Sequence, residues 1–238
     1  AKSSSSYLNI PSILSAAEIT GAEAIHPGFG FLSENREFSS LCKKWGIVFI
    51  GPNEESIEKM GDKILSKDLA VKAGLPVLCP IKVNNRKDED ILRDAELMGL
   101  PILIKASAGG GGRGMKRIDD MNELLPSLER MKLEAKAGFG DDTLFIEKYI
   151  TNPRHIEVQI LADKFGNVIH LGERDCTVQR RFQKIIEESP SPILSQKKRD
   201  EICDSAVNLA KYVNYDSVGT VEFLYDQDEE KFYFMEMN

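Results

Sequence analysis

Four glycines in a row, Gly109-Gly110-Gly111-Gly112, followed by Arg113 and Gly114, separate two short apolar runs. Ile102-Leu103-Ile104-Lys105 precedes them and Met115-Lys116-Arg117-Ile118 follows. So dense a run of glycine loses too much backbone entropy to serve as the interior of a helix or strand. The segment is therefore a loop between two strands. A Walker-type phosphate loop needs Gly-Lys-Ser/Thr and a helix after it. A dinucleotide-binding turn needs a helix opening within it. Neither is present. What remains is a flap joining two antiparallel strands, whose bare N–H groups can form an anion-binding nest. A plain surface hairpin is the alternative reading. Lys105 strengthens the phosphate reading, because its ammonium can reach an anion held beneath the glycines.

The rhythm of the chain changes on either side of this flap. Residues 10–24 read as a helix with Ile13, Leu14, Ala17 and Ile19 on its apolar stripe. Ala24-Ile25 is a short strand, residues 34–45 a helix, and Gly46 to Pro52 a buried strand closed by a turn. Such alternation belongs to an α/β layer with a largely parallel sheet. Residues 53–74 read as two helices parted by Met60-Gly61-Asp62-Lys63, with Asp62 placed to cap the second. A small α+β unit follows: a helix at 88–98, the two strands beside the flap, a helix at 121–137 and a strand at 143–148. From residue 150 the strands lengthen. Residues 155–161, 167–172, 218–225 and 231–238 alternate, interrupted by a helix at 195–213. The expected fold class is thus α/β and α+β. Residues 1–60 form an incomplete α/β domain, 61–76 a helical linker, 77–149 a lid, and 150–238 one wall of a cleft.

Two acidic positions near the C-terminus face each other in this scheme. If the polar turn between the last two strands is symmetric about Glu229, Glu222 pairs with Glu236, and Asn238 shares the face of Glu236. Directly paired residues hold their Cβ atoms about 5 Å apart. Two carboxylates that close disfavour each other's ionisation unless a cation lies between them. Oxygen ligands of this kind suit Mg²⁺, which takes one or two carboxylates together with substrate phosphates. Two exposed edge-strand glutamates are the alternative. His155, Glu157 and Gln159 share another face, and His26 and His170 stand at no ligand spacing from His155, so a zinc site is poorly supported. Glu173 to Lys184 is dense in charge, and Arg180, Arg181 and Lys184 either concentrate an anion or form a solvated cluster.

Composition narrows the partners. The net charge is −7, from 31 basic and 38 acidic residues with no basic tract, which argues against a nucleic-acid surface. No run approaches the ~20 apolar residues of a membrane span, and the first residues carry no signal-peptide core, so a cytoplasmic location is expected. Cys42, Cys79, Cys176 and Cys203 are scattered and form no CxxC pair, which reads as free thiols. The chain ends at Asn238 within an apolar strand pattern, and the expectation is that it is a fragment.

Taken together these runs resemble the biotin carboxylases, ATP-grasp enzymes of the biotin-dependent carboxylases. The resemblance rests on His26-Pro27-Gly28-Phe29-Gly30-Phe31-Leu32-Ser33-Glu34-Asn35, Met60-Gly61-Asp62-Lys63, Lys105-Ala106-Ser107-Ala108 through Met115, Glu147-Lys148-Tyr149, Asn152-Pro153-Arg154-His155, Glu173-Arg174-Asp175-Cys176, Gln179-Arg180-Arg181 with Gln183-Lys184, and Glu236-Met237-Asn238. They span nearly the whole chain in family order. The resemblance implies a partial pre-ATP-grasp, Rossmann-like domain, then an ATP-grasp lid, then part of the ATP-grasp core. It implies Lys63 and Lys105 on the nucleotide phosphates beneath the Gly110, Gly111, Gly112 and Gly114 flap. Glu147, Lys148 and Ile150 fall on the adenine side, Met115 and Leu224 against the base, and His155 and Gln179 near the ribose. Glu222, Glu236 and Asn238 resemble the Mg²⁺ or Mn²⁺ positions, and Lys184 a bicarbonate contact. The implied activity is ATP-dependent carboxylation of carrier-bound biotin from bicarbonate. The implied partners are a biotin carboxyl carrier protein, carboxyltransferase subunits and a second copy of the parent.

Two departures stand out: Phe182 where the family commonly has histidine, and Phe29 in place of tyrosine. The family's opening strand and glycine loop would precede Ala1. An arginine, a base glutamate and a second arginine would follow Asn238, so the chain alone is expected to be inactive. Leu171-Gly172-Glu173-Arg174 and Ser189-Pro190-Ser191-Pro192 resemble most the biotin carboxylase component of a bacterial acetyl-CoA carboxylase. Propionyl-, methylcrotonyl- and pyruvate-directed parents, and a non-catalytic nucleotide-binding module, are the alternatives.

Overall fold

The computed structural model describes residues 2–107, 114–180 and 183–238, apart from the side chains of Ser4, Lys63 and Ile64. The expectations for Gly110, Gly111, Gly112, Arg181, Phe182 and the Lys63 ammonium therefore lie outside the described residues.

The N-terminal part alternates as its pattern predicts: α1 (Ile10–Thr20), β1 (Ala24–Ile25), α2 (Arg36–Lys44) and β2 (Val48–Phe49), with β1 and β2 parallel. Asparagine starts both helices. The Asn9 side chain accepts from the Ser12 N–H at 2.9 Å, and Asn35 from that of Phe38 at 2.8 Å, so each satisfies a backbone donor that the first turn leaves open. Leu14, Ala17, Leu32, Phe38, Cys42 and Ile47 make a small core of their own.

Next come α3 (Glu54–Gly61), capped by Asn53, and α4 (Lys63–Lys72). Asp62 caps α4 as expected, accepting from the Leu65 N–H at 2.9 Å. These helices do more than link. Met60, Ala70 and Leu75 are buried in the largest core of the molecule, beside residues more than 80 positions later in the chain.

A second sheet is built from β3 (Ile81–Lys82), β4 (Ile102–Ala106), β5 (Met115–Ile118) and β6 (Leu144–Lys148), with α5 (Asp88–Met98) between β3 and β4 and α6 (Leu124–Phe139) between β5 and β6. Its order is β3-β6-β4-β5, with every pair antiparallel. β4 and β5 flank the glycine flap as the apolar runs predict, with Ile102 opposite Ile118. Ile91, Ile102, Ile104, Ile118 and Leu128 fill its core.

The third sheet holds β7 (Pro153–Ala162), β8 (Val168–Arg180), β9 (Gln183–Glu188), β10 (Ser217–Asp226) and β11 (Lys231–Met237), in the order β11-β10-β7-β8-β9. One face carries Ile156, Val158, Ile160, Val221 and Phe223, which pack on Ile202, Ala206 and Leu209 of α7 (Gln196–Tyr212). Period-two alternation then sends His155, Glu157 and Gln159 to the other face. The outer edge of β11 is covered, because the Phe234 N–H donates to the Pro76 carbonyl at 2.8 Å. Among the described residues, no helix is long and apolar enough to cross a membrane.

The strand expected over residues 167–172 is corrected by the structure: it runs from Val168 to Arg180, and the charge-dense run from Glu173 to Lys184 is the end of that strand and the start of the next, with Gln179 opposite Lys184. Apolar alternation is hidden there because acids fill the buried positions. Glu173, only 1% exposed, receives Arg199 Nε at 2.7 Å and the Ser191 N–H at 2.9 Å. Asp175 accepts from Ser191 Oγ at 3.2 Å. A buried carboxylate is tolerable only when so supplied with donors.

A second correction concerns the last hairpin. Its turn is not symmetric about Glu229. Asp226 pairs with Lys231 and Phe223 with Phe234, so the centre falls half a residue earlier, which by itself would set Glu222 against Met235. A bulge between Glu222 and Phe223 absorbs one extra residue in β11 and restores Glu222 opposite Glu236. The pairing argued from the sequence holds, for a reason the turn alone does not supply.

Gly219 sits where β10 begins to approach the end of β11. A Cβ built there meets the Tyr215 hydroxyl, and also the Asn238 carbonyl oxygen at 2.7 Å. Gly219→Ala is expected to cost about 1–3 kcal/mol through overpacking. Gly61→Ala, whose Cβ meets nothing within 4 Å, should be neutral or gain up to ~1 kcal/mol in helix propensity. Urea unfolding of the two variants beside the wild type checks both.

Candidate active site

Four side chains line up across four neighbouring strands: Glu236 on β11, Glu222 on β10, Glu157 on β7 and Arg174 on β8. Glu222 and Glu157 are 5% and 3% exposed. Three carboxylates at strand spacing, two of them buried, demand cations. Arg174 supplies one, with Nε 2.5 Å from Glu157 Oε1 and Nη1 donating to Gln159 Oε1 at 3.1 Å. Lys184 supplies the second. Its ammonium reaches from β9 to Glu157 Oε2 and also donates to Glu222 Oε1 at 2.9 Å. Asn238 Nδ2 donates to the same Glu222 oxygen at 3.2 Å. Exposed edge-strand glutamates, the alternative for Glu222, are thereby excluded.

His155 completes the surround of Glu222, with Nε2 3.0 Å from Glu222 Oε2, an ion pair whenever the ring is protonated. Gln179 orients the ring. Its Nε2 donates to the Cys176 carbonyl at 2.9 Å, which fixes the amide, and lies 3.1 Å from His155 Nδ1. An amide donor at Nδ1 makes that nitrogen the acceptor and leaves the ring proton on Nε2.

Burial alone would raise the Glu222 carboxyl. Hydrogen bonds and charge from His155 and Lys184 outweigh that and hold it at about 2. Burial likewise favours a neutral Lys184, and Glu157 and Glu222 reverse the balance and push its ammonium up. The row therefore holds an ionised Glu222 beside a charged Lys184. It lines a cleft of about 1000 Å³ whose other side is formed by His26 to Gly30 and by Ile50, Gly51 and Pro52.

A second cluster lies on the β3–β6 sheet. The Glu147 carboxylate, 5% exposed, takes the Lys105 ammonium on one oxygen and Lys67 Nζ on the other at 2.8 Å. Burial would raise Glu147, and the charges of Lys105 and Lys67 hold it below the usual range. Lys148 Nζ donates to the Gly99 and Leu100 carbonyls at 3.0 and 3.1 Å. Ile150 is buried, Met115 is exposed, and Leu224 pairs with His155. At Gly114, φ is 72° and a Cβ would come within 3.0 Å of Ala106 Cβ, so glycine is required where the flap rejoins β5.

The structure thus brings Lys184, Glu222, Glu236 and Asn238 together in the cleft, with His155 and Gln179 behind Glu222. Lys105 and Glu147 meet elsewhere. Three participants escape sequence reasoning. Alternation puts Glu157 on the correct face but shows it only as part of a hydrogen-bonding wall. Arg174 is lost among the charges of its own strand. Lys67 carries no local signal, since its partner is 80 residues away.

The donor set also tests the expected metal. Glu222, Glu236 and Asn238 offer oxygen atoms, and Glu222 is held ionised, which fits a hard dication such as Mg²⁺. His155, Glu157 and Glu222 also place one ligand atom each within 4.8 Å of one another, as do Glu157, Cys176 and Glu187. In the second group the buried Cys176 thiol is pushed up to about 12, first by burial and then by Glu157, so it stays protonated.

Known proteins share this arrangement of elements. Residues 62–238 match the family described as carbamoyl-phosphate synthase L chain, ATP binding domain, and residues 1–57 match the biotin carboxylase, N-terminal domain. Biotin carboxylase 1 of Bacillus subtilis is 46% identical over 99% of the chain and 52% of its own length. A pyruvate carboxylase subunit of Methanothermobacter thermautotrophicus is 50% identical over 99% of the chain and 48% of its own length. The biotin carboxylase domain dimer of Hydrogenobacter thermophilus 2-oxoglutarate carboxylase, solved with MgADP, ADP and bicarbonate, superposes with a TM-score of 0.80 at 48% identity, over 98% of this chain and 51% of that one. The chain spans about half the length of these relatives.

The depressed Glu222 carboxyl makes stability depend on pH. A group held at about 2 in the fold, against an ordinary value near 4.5, contributes stability that is fully present above about pH 4.5 and lost as pH falls toward 2. The shift corresponds to about 3 kcal/mol. In metal-free protein, Glu222→Gln should lower stability at pH 7 and flatten the acid limb between pH 4.5 and 3. Urea midpoints measured across that window check it; an unchanged slope refutes the assignment.

Proposed function

Because the chain belongs to the biotin carboxylase family of ATP-grasp domains shared by several biotin-dependent carboxylases, we propose that it forms the ATP- and bicarbonate-handling part of such an enzyme. The observation that carries this reading is the Lys184 ammonium shared between Glu157 and Glu222 on the floor of the cleft. It supports a cation for a small anion directly beside carboxylates suited to a metal–phosphate complex.

The reaction has two halves. An oxygen of bicarbonate attacks the γ-phosphorus of ATP. The new P–O bond forms as the bond to the β,γ-bridging oxygen breaks, and ADP leaves with that electron pair. The carboxyl group of the resulting carboxyphosphate then passes to N1 of carrier-bound biotin: the C–N bond forms as the C–O bond to phosphate breaks, and the departing phosphate takes the N1 proton. In this reading Lys105 and Lys63 meet the phosphates, with Gly110, Gly111, Gly112 and Gly114 over them. Glu147, Lys148 and Ile150 face the adenine, with Met115 and Leu224 packed on it and His155 and Gln179 toward the ribose. Glu222, Glu236 and Asn238 would hold Mg²⁺ or Mn²⁺, which when bound neutralises charge on the β- and γ-phosphates. Lys184 holds bicarbonate. Arg174 and Glu157 keep Lys184 at its station, and that is pre-organisation: the cation is in place before charge develops.

The Leu171 to Arg174 and Ser189 to Pro192 runs support an acetyl-CoA carboxylase as parent, with a biotin carboxyl carrier protein and carboxyltransferase as partners. The second reading, a pyruvate- or other acyl-directed parent, draws on 50% identity to a pyruvate carboxylase subunit. The paired-copy state follows by analogy with the dimer of the 2-oxoglutarate carboxylase domain.

Glu236→Gln in the full-length protein tests the metal assignment, since it removes a charge and keeps size. Bicarbonate-dependent ATP cleavage is expected to fall about tenfold or more and to need higher Mg²⁺, with little change in melting temperature. Wild-type cleavage at every Mg²⁺ concentration ends the assignment. Lost activity with a collapsed melting temperature makes Glu236 structural instead.

A further inference from the structure

Lys67 stands outside every role assigned above, yet it meets one of the few buried carboxylates of the molecule. It lies on α4, four positions after Lys63, and α4 is fastened to the large core by Leu69 and Ala70. Its ammonium nevertheless reaches Glu147 on the other sheet, at 2.8 Å, with a side chain only 26% exposed. The β4–β6 register sets Leu103 opposite Glu147, so Lys105, two positions along, is its diagonal neighbour on the same face. The carboxylate is therefore divided. Oε1 takes Lys67 and Oε2 takes Lys105.

We propose that Lys67 is a positioning residue of the nucleotide site, acting through Glu147 to hold Lys105 in a half-committed state. One carboxylate facing two ammonium groups leaves one positive charge in excess, and that excess is what a polyphosphate meets. Without Lys67, a buried carboxylate would have a single partner and would draw Lys105 onto both oxygens, because an unpaired buried charge is costly. The pair would then be neutral and Lys105 withdrawn from the phosphates. The inference rests on the nucleotide reading of Lys105 given above. It differs from a role for Lys67 as a simple tie between α4 and the lid, which would affect all ligands of the site alike.

The test separates the two halves of the nucleotide. In the full-length protein that carries this chain, calorimetry measures the affinity for ADP with Mg²⁺ and, separately, for adenosine. Lys67→Met is expected to weaken ADP binding about tenfold and adenosine binding less than about twofold. Lys67→Arg should restore ADP binding, since a guanidinium keeps the charge and its fork can span both Glu147 oxygens, releasing Lys105. If Lys67→Met binds ADP like the wild type while Lys105→Met does not, the proposal is overturned and the nucleotide reading stands. Equal losses for ADP and adenosine also overturn it. Absence of ADP binding by the wild-type protein removes the nucleotide reading and the proposal with it. Should Lys67→Met melt out, Lys67→Arg decides: ADP bound at least as tightly as by the wild type supports the proposal, and weaker binding sinks it.

Discussion

Like charges on adjacent strands are the constraint around which this molecule is arranged. Glu236, Glu222 and Glu157 stand side by side across β11, β10 and β7, where repulsion and burial both work against ionisation. The fold answers with cations delivered from further along the same sheet. Arg174 arrives because β8 pairs with β7, and Lys184 because β9 turns back on β8. The β8–β9 hairpin is therefore part of the electrostatics of the cleft as much as part of its wall. The opposite face of β8 has its own acids, Glu173 and Asp175, answered by Arg199 and by Ser191. A strand so rich in charge remains a strand because each face is neutralised by a different element.

The two polar clusters are charged differently. On the sheet of the cleft, the carboxylates of Glu157 and Glu222 are met by Arg174 and Lys184, with Glu236 beside them on the next strand. On the lid sheet, one carboxylate meets two ammonium groups, leaving one positive charge. A polyphosphate, being anionic, complements the second cluster. That surplus is not visible in the overall charge of the chain, which is acidic. The local imbalance, set by strand register, is what a ligand would encounter.

Much of this was legible in the sequence, and the reasons for the rest are physical. Elements with clean periodicity or explicit caps, such as the helix at Asp88–Met98 and the asparagine-started α1 and α2, fall where local chemistry places them. β9 escaped because it is exposed along its whole length and has no apolar alternation to read. β3, two residues long, is a strand only because β6 lies beside it. In the site, the facing of Glu222 and Glu236 was expected from a turn symmetric about Glu229, whereas it is the bulge that delivers it, and their neutralisation had no local signal. Lys184 is 38 residues from Glu222 and Lys67 is 80 from Glu147, and such partners become visible only when the sheets are assembled.

The bulge between Glu222 and Phe223 divides the last hairpin into two regions under different rules. Near the turn, the strands keep one register, and a change of length there alters only how the loop closes. Beyond the bulge, the extra residue of β11 decides which face every later side chain takes. Loss of the extra residue, Met235, would close the bulge and leave Glu236 opposite Glu222 and Met237 opposite Val221. Loss of Glu236, one position on, would instead bring the apolar Met237 opposite Glu222. A change of length that the turn between Asp226 and Lys231 can absorb is therefore, at the far end of the hairpin, the replacement of an acidic by an apolar side chain on the wall of the cleft.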